Sequence, residues 1–345
     1  MRELVITKRE EGQRLDRFLC KYLPEAPSGF LHKMLRKKNI KLNDGKAAGN
    51  EKIKQGDRIQ IYFSEETLDK FTGRNSKKEK TTRALTQKQK ELRGQVKVLY
   101  ATEDVLILHK PAGMLTQKAE KEDDSLNDYL IDYCLEKGIL TEEGLTVFRP
   151  SVANRLDRNT SGIVLCGISM AGLQALGRLM KERNLEKYYL CLVHGRVEQD
   201  RKLKGWLLKD EKTNRVRLFS KPVEGAAPIE TWYQVLEKRE EVSLLKIRLI
   251  TGKSHQIRAH LASVGHPILG DGKYASGKMN QEMKKEGIRY QLLHSYELKV
   301  PDNVKGLPEE LSGLHITAPL PSEFLTIMKK KGFSEALVKQ EGRRR

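Results

Sequence analysis

Three short segments carry the residues best suited to chemistry. The first, Asn154-Arg155-Leu156-Asp157-Arg158-Asn159-Thr160-Ser161-Gly162-Ile163-Val164-Leu165, is a polar, charged loop that runs directly into an apolar strand. Taken alone, Asp157 reads as a turn or capping residue and Arg155 as an ordinary surface charge. The second is Thr251-Gly252-Lys253-Ser254-His255-Gln256-Ile257-Arg258-Ala259-His260-Leu261. Here Ser254 is placed to cap a helix after a glycine turn, with Arg258 one turn in. The third, Lys187-Tyr188-Tyr189-Leu190-Cys191-Leu192-Val193, is an apolar strand with aromatic residues at its start. Together the segments offer a carboxylate, a guanidinium and an aromatic ring, the set that isomerisation of a nucleoside needs. The carboxylate has to stay ionised in a cleft, and an arginine partner achieves that by charge and bidentate hydrogen bonding. A ring stacks on a flipped base.

The elements that must position these segments run from Gln95 to about Lys329. Alternation and β-branched content predict strands at Val96–Tyr100, Val105–His109, Gly162–Gly167, Tyr188–His194, Arg215–Phe219, Glu230–Glu237, Val242–Leu249, Pro267–Leu269 and Gln291–Val300. Helices are predicted at Ser125–Lys137, Ser169–Arg183 and Ser254–Val264. Strands and helices do not alternate one for one, so the expected fold is α+β with a mixed, largely antiparallel sheet, in place of a doubly wound parallel one. This catalytic domain is assigned to residues 96–328.

Ahead of it, residues 1–64 read as a small separate α+β domain. A strand at Leu4–Thr7 comes first, then a helix opened by Arg14 that carries Leu15, Phe18, Leu19 and Tyr22 at helical spacing. A second helix, Phe30–Lys38, is to be capped by Ser28; then come a strand at Ile40–Asn43, a turn at Asp44-Gly45 and a closing strand, Arg58–Phe63. Arg14, Arg17, Lys33, Arg36, Lys37, Lys38 and Lys41 would gather on one side of this unit, a pattern suited to a nucleic-acid backbone. Residues 65–95 read as a basic polar linker, helical at most in part, with little apolar surface to pack against a cleft. Residues 329–345 end in three arginines and read as a basic tail.

Composition agrees with a polyanionic partner. The chain has 345 residues and a formal net charge of +19, an excess that points to nucleic acid. No apolar stretch approaches the ~20 residues of a membrane span, no basic amphipathic helix with an aromatic face stands out, and MRELVITKREEG lacks a signal-peptide core. The four cysteines form no close pair. Cys20, Cys166 and Cys191 sit in apolar runs and are expected in the core, as in a reducing cytoplasm.

In order along the chain, Leu106-Ile107-Leu108-His109-Lys110-Pro111-Ala112-Gly113, the R-L-D-x-x-T-S-G run, T-G-x-x-H-Q-I-R and G-H-P-I-x-G-D resemble the RluA family of RNA pseudouridine synthases. The likeness spans about Gln95 to Leu325. Residues Gln13 to Phe63 resemble the small alpha-L RNA-binding domain, through RLDRFL, HKMLRKKNIKLNDG and IKQGDRIQIY. The resemblance implies that Asp157 is the catalytic aspartate. It further implies that Arg155 inserts where the target base was, that Tyr189 is the active-site tyrosine, and that Arg258 pairs with the aspartate. By the same match, Asn154, Thr160, His255 and Gln256 are expected at the substrate. Asn154 stands where the family more often has His, which argues against an acid–base role there. An α+β domain with a long mixed sheet is implied, RNA lying across its cleft with the uridine flipped in.

His255, His260 and His266 are spaced by five and six residues and do not stack on one helix face, so no metal is expected. Lys110-Pro111-Ala112-Gly113 lacks the ending of a phosphate loop and reads as a structural turn at the cleft. Isomerising uridine needs no redox equivalent, donor or energy source, so no cofactor is expected. The anticipated partner is ribosomal RNA, without a membrane, and the chain is expected to be a monomer. The rival reading is a catalytically idle RNA-binding or ribosome-assembly factor, which would have no chemical need of Asp157, Tyr189 and Arg258 together.

Overall fold

The computed structural model describes residues 1–72, 84–210, 213, 215–302, 304, 307–336 and 338. Residues 73–83 of the expected linker and 339–345 of the expected tail lie outside the described residues.

The N-terminal unit is a four-stranded antiparallel sheet under two helices. Its strands are β1 (Arg2–Val5), β2 (Ile40–Leu42), β3 (Gly45–Lys46) and β4 (Arg58–Ile61), in the order β1-β4-β2-β3. Helix α1 (Leu15–Tyr22) buries Leu15, Phe18 and Leu19, and α2 (Ser28–Arg36) buries Leu31, Met34 and Leu35. These are the i, i+3, i+4 positions of one apolar stripe each. They close on Ile40, Ile59 and Ile61 from the sheet. Ser28 does not cap α2; it is the first helical residue, and Pro27 takes the cap position without a side-chain bond. The β2–β3 hairpin turns on Asn43 and Asp44, with φ of 49° and 64°, one residue earlier than expected. Two central residues of positive φ are the geometry that suits the strand twist, and Asn and Asp tolerate it.

The stretch expected as a linker is more structured than its composition implied. Helix α3 (Glu65–Thr72) fully buries Leu68 in the N-terminal core, with Phe71 against it. Helix α4 (Gln87–Gly94) opens with a reciprocal capping box between Thr86 and Gln89. Its Leu92 packs on the core of the large sheet, and its Arg93 binds Asp124 and Asp132. Little apolar surface was expected here to pack against the cleft, yet one leucine and one doubly paired arginine suffice to fix α4.

The second sheet holds β5 (Lys97–Ala101), β6 (Val105–Lys110), β7 (Ser151–Val152), β8 (Ser161–Gly167), β9 (Glu186–His194) and β10 (Arg201–Asp210). It continues with β11 (Arg215–Phe219), β12 (Ala227–Lys238), β13 (Val242–Leu249), β14 (Leu293–Lys299) and β15 (His315–Thr317). The order is β11-β10-β12-β13-β9-β14-β8-β6-β5, with β7 on β8 and β15 on β14. All pairs are antiparallel except β14 with β8, so the fold is α+β with a mixed, largely antiparallel sheet. At that parallel junction Gly162 has φ +115°, and a Cβ there would stand 2.1 Å from the Ser295 carbonyl oxygen. The glycine after Ser161 is thus required for two strands to meet.

Helices α5 (Leu126–Glu136), α6 (Gly144–Val147), α7 (Met170–Glu182), α8 (Gln256–Ser263), α9 (Gly277–Lys285) and α10 (Ser322–Lys330) complete the fold. Alternation along β6 and β8 divides the apolar residues between two cores. Leu106, Leu108, Val164 and Cys166 join one, while Val105, Ile107, Ile163 and Leu165 join the other. Strand β10 was not expected, because lysines and Gly205 break the apolar signal of RKLKGWLLKD; only Leu203, Gly205 and Leu207 turn inward. Pro267–Leu269 makes a single bridge, Val193 to Ile268, and no strand. Cys20 is exposed, contrary to expectation, on the outer face of α1; the buried cysteines are Cys134, Cys166 and Cys191. The chain also stays in the core beyond residue 329, since Phe333 and Val338 are buried. Among the described residues no helix is long and apolar enough to cross a membrane.

Candidate active site

Arg258 organises the cleft. It lies in the first turn of α8 and is 5% exposed. Its Nε and Nη2 donate to the two carboxylate oxygens of Asp271, each at 2.8 Å, and its Nη1 donates to Oδ2 of Asp157 at 2.8 Å. The fork is therefore filled on one edge by a fully buried carboxylate. An N–H of Nη1 is turned to Asp157, whose side chain keeps 26% exposure. Burial works against the charge on both members of the Arg258–Asp271 pair. The hydrogen bonds and mutual attraction win: Asp271 is held below its ordinary pKa and Arg258 is raised above its own. Asp271 also accepts from the backbone N–H groups of Lys273 and Tyr274, at 2.9 and 3.2 Å. The Tyr274 ring lies 5.2 Å from the Arg258 guanidinium carbon.

Ser254 does not cap α8. The cap position belongs to His255 in a left-handed conformation, φ 54°, with no side-chain cap bond. That turn carries the imidazole into the cleft. Its Nδ1 meets the Tyr274 hydroxyl at 2.9 Å and its Nε2 lies 3.7 Å from Asp157 Oδ2. Burial holds the His255 pKa below its usual value, although Asp157 opposes this.

The loop bearing Asp157 is gripped on both sides of that residue. The Thr116 hydroxyl donates to the Leu156 carbonyl at 2.7 Å and accepts from the Leu156 N–H at 3.1 Å. The Arg158 carbonyl accepts from the Gly113 N–H at 2.9 Å and from Lys110 Nζ at 3.0 Å. Lys110 is fully buried and spends its other bonds on the carbonyls of Pro111 and Met114; burial pushes its ammonium down to about 7. The Lys110–Gly113 turn is thus structural, as its sequence implied, and what it holds is the loop bearing Asp157.

Tyr189, on β9, is 5% exposed and sits in register opposite Ser295 of β14. Burial, which outweighs its hydrogen bond with Ser295 and is helped by Asp157, pushes its phenol up to about 12. The phenol is therefore uncharged at neutral pH and within electrostatic reach of Asp157. Tyr188 turns the other way, with Lys246 and Lys299 over its ring and its hydroxyl on Glu186.

The residues expected at the substrate divide. Arg155 is exposed two positions before Asp157, and His255 faces it. Asn154, Thr160 and Gln256 spend their side chains inside the protein. Asn154 Oδ1 accepts from the Leu165 N–H at 2.7 Å and its Nδ2 donates to the Ile163 carbonyl, pinning the loop to β8. Thr160 is buried; its N–H donates to the Asp157 carbonyl and its hydroxyl accepts from Gln291. Gln256 is held by Thr251, Thr231, the Glu230 carbonyl and the Lys253 N–H. Each polar side-chain atom of these three has a protein partner, and together they position the cleft. Asp271, Tyr274 and Thr116 went unassigned in the sequence. The signal for Asp271 was present, as the acid closing G-H-P-I-x-G-D, and a buried guanidinium needs such a second partner. The three histidines considered for metal have separate partners: His260 bonds Thr231 and His266 the His194 carbonyl.

Of the N-terminal cations, Arg17, Lys33, Arg36, Lys37 and Lys38 are exposed. Arg14 is engaged by Asp16 in two bonds, and Lys41 lies 5.1 Å from the centre of the Tyr62 ring.

A family model described as RNA pseudouridylate synthase matches residues 104–263, the stretch from β6 through α8. The ribosomal large subunit pseudouridine synthase C of Haemophilus ducreyi is 29% identical over 331 residues, covering 94% of each chain. Its namesake from Pasteurella multocida is 28% identical over 331 residues, covering 94% of this chain and 92% of the relative. The solved structure of human RNA pseudouridylate synthase domain containing 4 overlays with a TM-score of 0.54 at 20% identity, over 70% of this chain and 94% of that one, a likeness of fold. Fold and family together define an isomerase that acts on a base within RNA. The match to that model and to these relatives makes the chain similar to the RNA pseudouridine synthases, which convert uridine to pseudouridine.

Proposed function

We propose that the protein isomerises specific uridines of large-subunit ribosomal RNA, with Asp157 as the catalytic carboxylate. The observation that carries this reading is the bond from buried Arg258 to a partly exposed Asp157, with the uncharged phenol of Tyr189 within its electrostatic reach. A charge fixed in this way costs no reorganisation when the reaction begins. The relatives named above supply the RNA class.

In the proposed reaction the N1–C1′ bond breaks, uracil rotates in the cleft, and a C5–C1′ bond forms as the C5 proton is lost and N1 gains one. Asp157 either attacks C1′ or removes a ribose proton to give a glycal; both routes need the carboxylate ionised, which is the work of Arg258. Tyr189 stacks on the base, and Arg155 fills the gap left in the RNA. With its phenol pushed up to about 12, Tyr189 holds its proton at neutral pH and serves the base by its face. The N-terminal unit holds phosphates through Arg17, Lys33, Arg36, Lys37 and Lys38, and the enzyme acts as a monomer without metal or cofactor. Mapping pseudouridine in total RNA from cells with and without this protein tests the reading. One or a few large-subunit sites should revert to uridine; reversion confined to transfer RNA, or none at all, would overturn it.

A further inference from the structure

A cavity of about 450 Å³ opens beside the catalytic loop, on the side of α4. The first turn of α4 supplies Lys88 and Gln89, the loop supplies Arg158 and Asn159, and Tyr290 closes the far side. Arg158 and Asn159 directly follow Asp157, so the cavity and the aspartate share one loop. Its shape is built in. Leu92 fixes α4 to the core, Arg93 ties it to Asp124 and Asp132, and Gly113 comes within 3.3 Å of the Tyr290 hydroxyl if given a Cβ.

The chemistry of the walls is selective. Tyr290 is a half-buried ring, Lys88 and Arg158 are exposed cations, and Gln89 and Asn159 carry amides. Of the two acids on the rim, Asp124 is neutralised by Arg93, and Asp123 caps the backbone N–H groups of Ala119 and Glu120. A ring for a base, cations for a phosphate and amides for a base edge make a nucleotide site. The volume suits a single small ligand. An RNA held at Asp157 would have its neighbouring nucleotide near the loop that supplies Arg158 and Asn159.

We propose that the cavity is a subsite for the nucleotide adjacent in sequence to the target uridine, with Tyr290 stacking on its base and Lys88 and Arg158 at its phosphate. The proposal rests on the reading of Asp157 as the catalytic carboxylate. It makes α4 part of the substrate-binding surface and gives the enzyme a means of choosing one uridine by its neighbour.

The test is a double-mutant cycle on a short RNA carrying the mapped uridine. One arm replaces each flanking base in turn by an abasic nucleotide; the other replaces Tyr290 with Ala. Loss of one stacked base costs about tenfold in kcat/KM. At a single flanking position the Tyr290→Ala loss should vanish on abasic RNA, because the base it contacts is already gone. Lys88→Ala, on the exposed face of α4, serves as a second variant that spares the core. It should lower the slope of log affinity against log salt by about 0.7. Losses that add at every flanking position, together with an unchanged slope for Lys88→Ala, would overturn the subsite. If wild-type protein forms no pseudouridine in the RNA, the parent reading falls instead, which keeps the two failures distinct.

Discussion

Arg36 and Arg258 are the same side chain in two opposite settings. Arg36 ends α2 on the surface of the small sheet's unit, exposed among Lys33, Lys37 and Lys38. Arg258 is buried in the large domain, with two carboxylates accepting three hydrogen bonds from its guanidinium. An exposed cation keeps its water and contributes to RNA binding by releasing counterions, so its neighbours are interchangeable and its position is loose. Burying a guanidinium costs several kcal/mol, which only near-complete pairing offsets. The partner set is then specific: Asp271 fixes the orientation and Asp157 receives what remains. In the proposed function the first region binds by charge, and the second does chemistry by confining charge.

The comparison is broken most severely at Asp157. Asp157→Asn keeps the size and an oxygen to accept from Arg258, but leaves no anion for either chemical route. Pseudouridine formation should fall by roughly 10³-fold or more, while RNA affinity, set by the exposed cations, stays within about twofold. Turnover by tritium release or mass spectrometry, set against equilibrium binding, reads both. Retained turnover would remove Asp157 from the mechanism.

Arg258→Met comes next. It should lower the rate by roughly 10²-fold and also destabilise the fold by about 3–5 kcal/mol, because Asp271 is left buried without its partner. Adding Asp271→Asn should restore most of the stability and none of the rate. Urea unfolding of the single and double variants distinguishes this from a purely structural arginine, for which rate and stability would recover together.

How much of this contrast was legible in the sequence follows the same division. The exposed cluster could be read directly, because Lys33, Arg36, Lys37 and Lys38 are close in the chain and a basic surface needs no partner. Asp157 and Arg258 lie 101 residues apart, and only their motifs linked them. Tyr274 and Thr116 were not assigned because they act through bonds to His255 and Leu156 that no periodicity encodes, and Asp271, though it closes a motif, shows its role only through its bonds to Arg258. Helix boundaries shifted for local reasons: Pro27 displaced Ser28, and His255 took a left-handed turn where Ser254 was expected to cap. Polarity concealed α4 and β10, whose few inward residues are hidden among lysines. Asn154, Thr160 and Gln256 belong to the right motifs, but motif membership does not distinguish a side chain facing the ligand from one holding the loop.

Acid sharpens the comparison at intermediate scale. Burial lowers His109 and His260 to about 4 and His294 to about 3, all in the large domain. His32, the one histidine of the N-terminal unit, is exposed. An unfolded histidine takes up its proton near 6.5, whereas these three stay neutral until about 4 or below. The unfolded state therefore binds more protons between those values, and stability falls as pH drops through that window. The loss is about 1.4 kcal/mol per pH unit for each histidine, with less than full addition for His109 and His294, whose rings are 5.7 Å apart. Both tryptophans, Trp206 and Trp232, lie in the large sheet, so fluorescence reports its unfolding. The urea midpoint should drop between pH 7 and pH 5; a flat midpoint would mean the histidines are protonated in the fold.

The smallest effect is expected from the N-terminal cations, and substitution tests it more cleanly than deletion. Val147 of the large domain is buried in the N-terminal core, so removing that unit strips it, and a cut at residue 90 would sever α4. Lys33→Ala with Lys37→Ala changes two exposed side chains and should leave the urea midpoint unmoved. If both touch phosphates, the slope of log affinity against log salt should fall by about 1.8 on duplex RNA segments treated as B-DNA, or about 1.4 on single strands. Affinity should fall a few-fold near physiological salt, while the rate at saturating RNA is unchanged, because nothing in the cleft has moved. The same substitutions made at Lys284 and Lys285, at the end of α9, provide the control. An equal loss there would show that the RNA responds to overall charge and that the N-terminal unit has no special part in holding it.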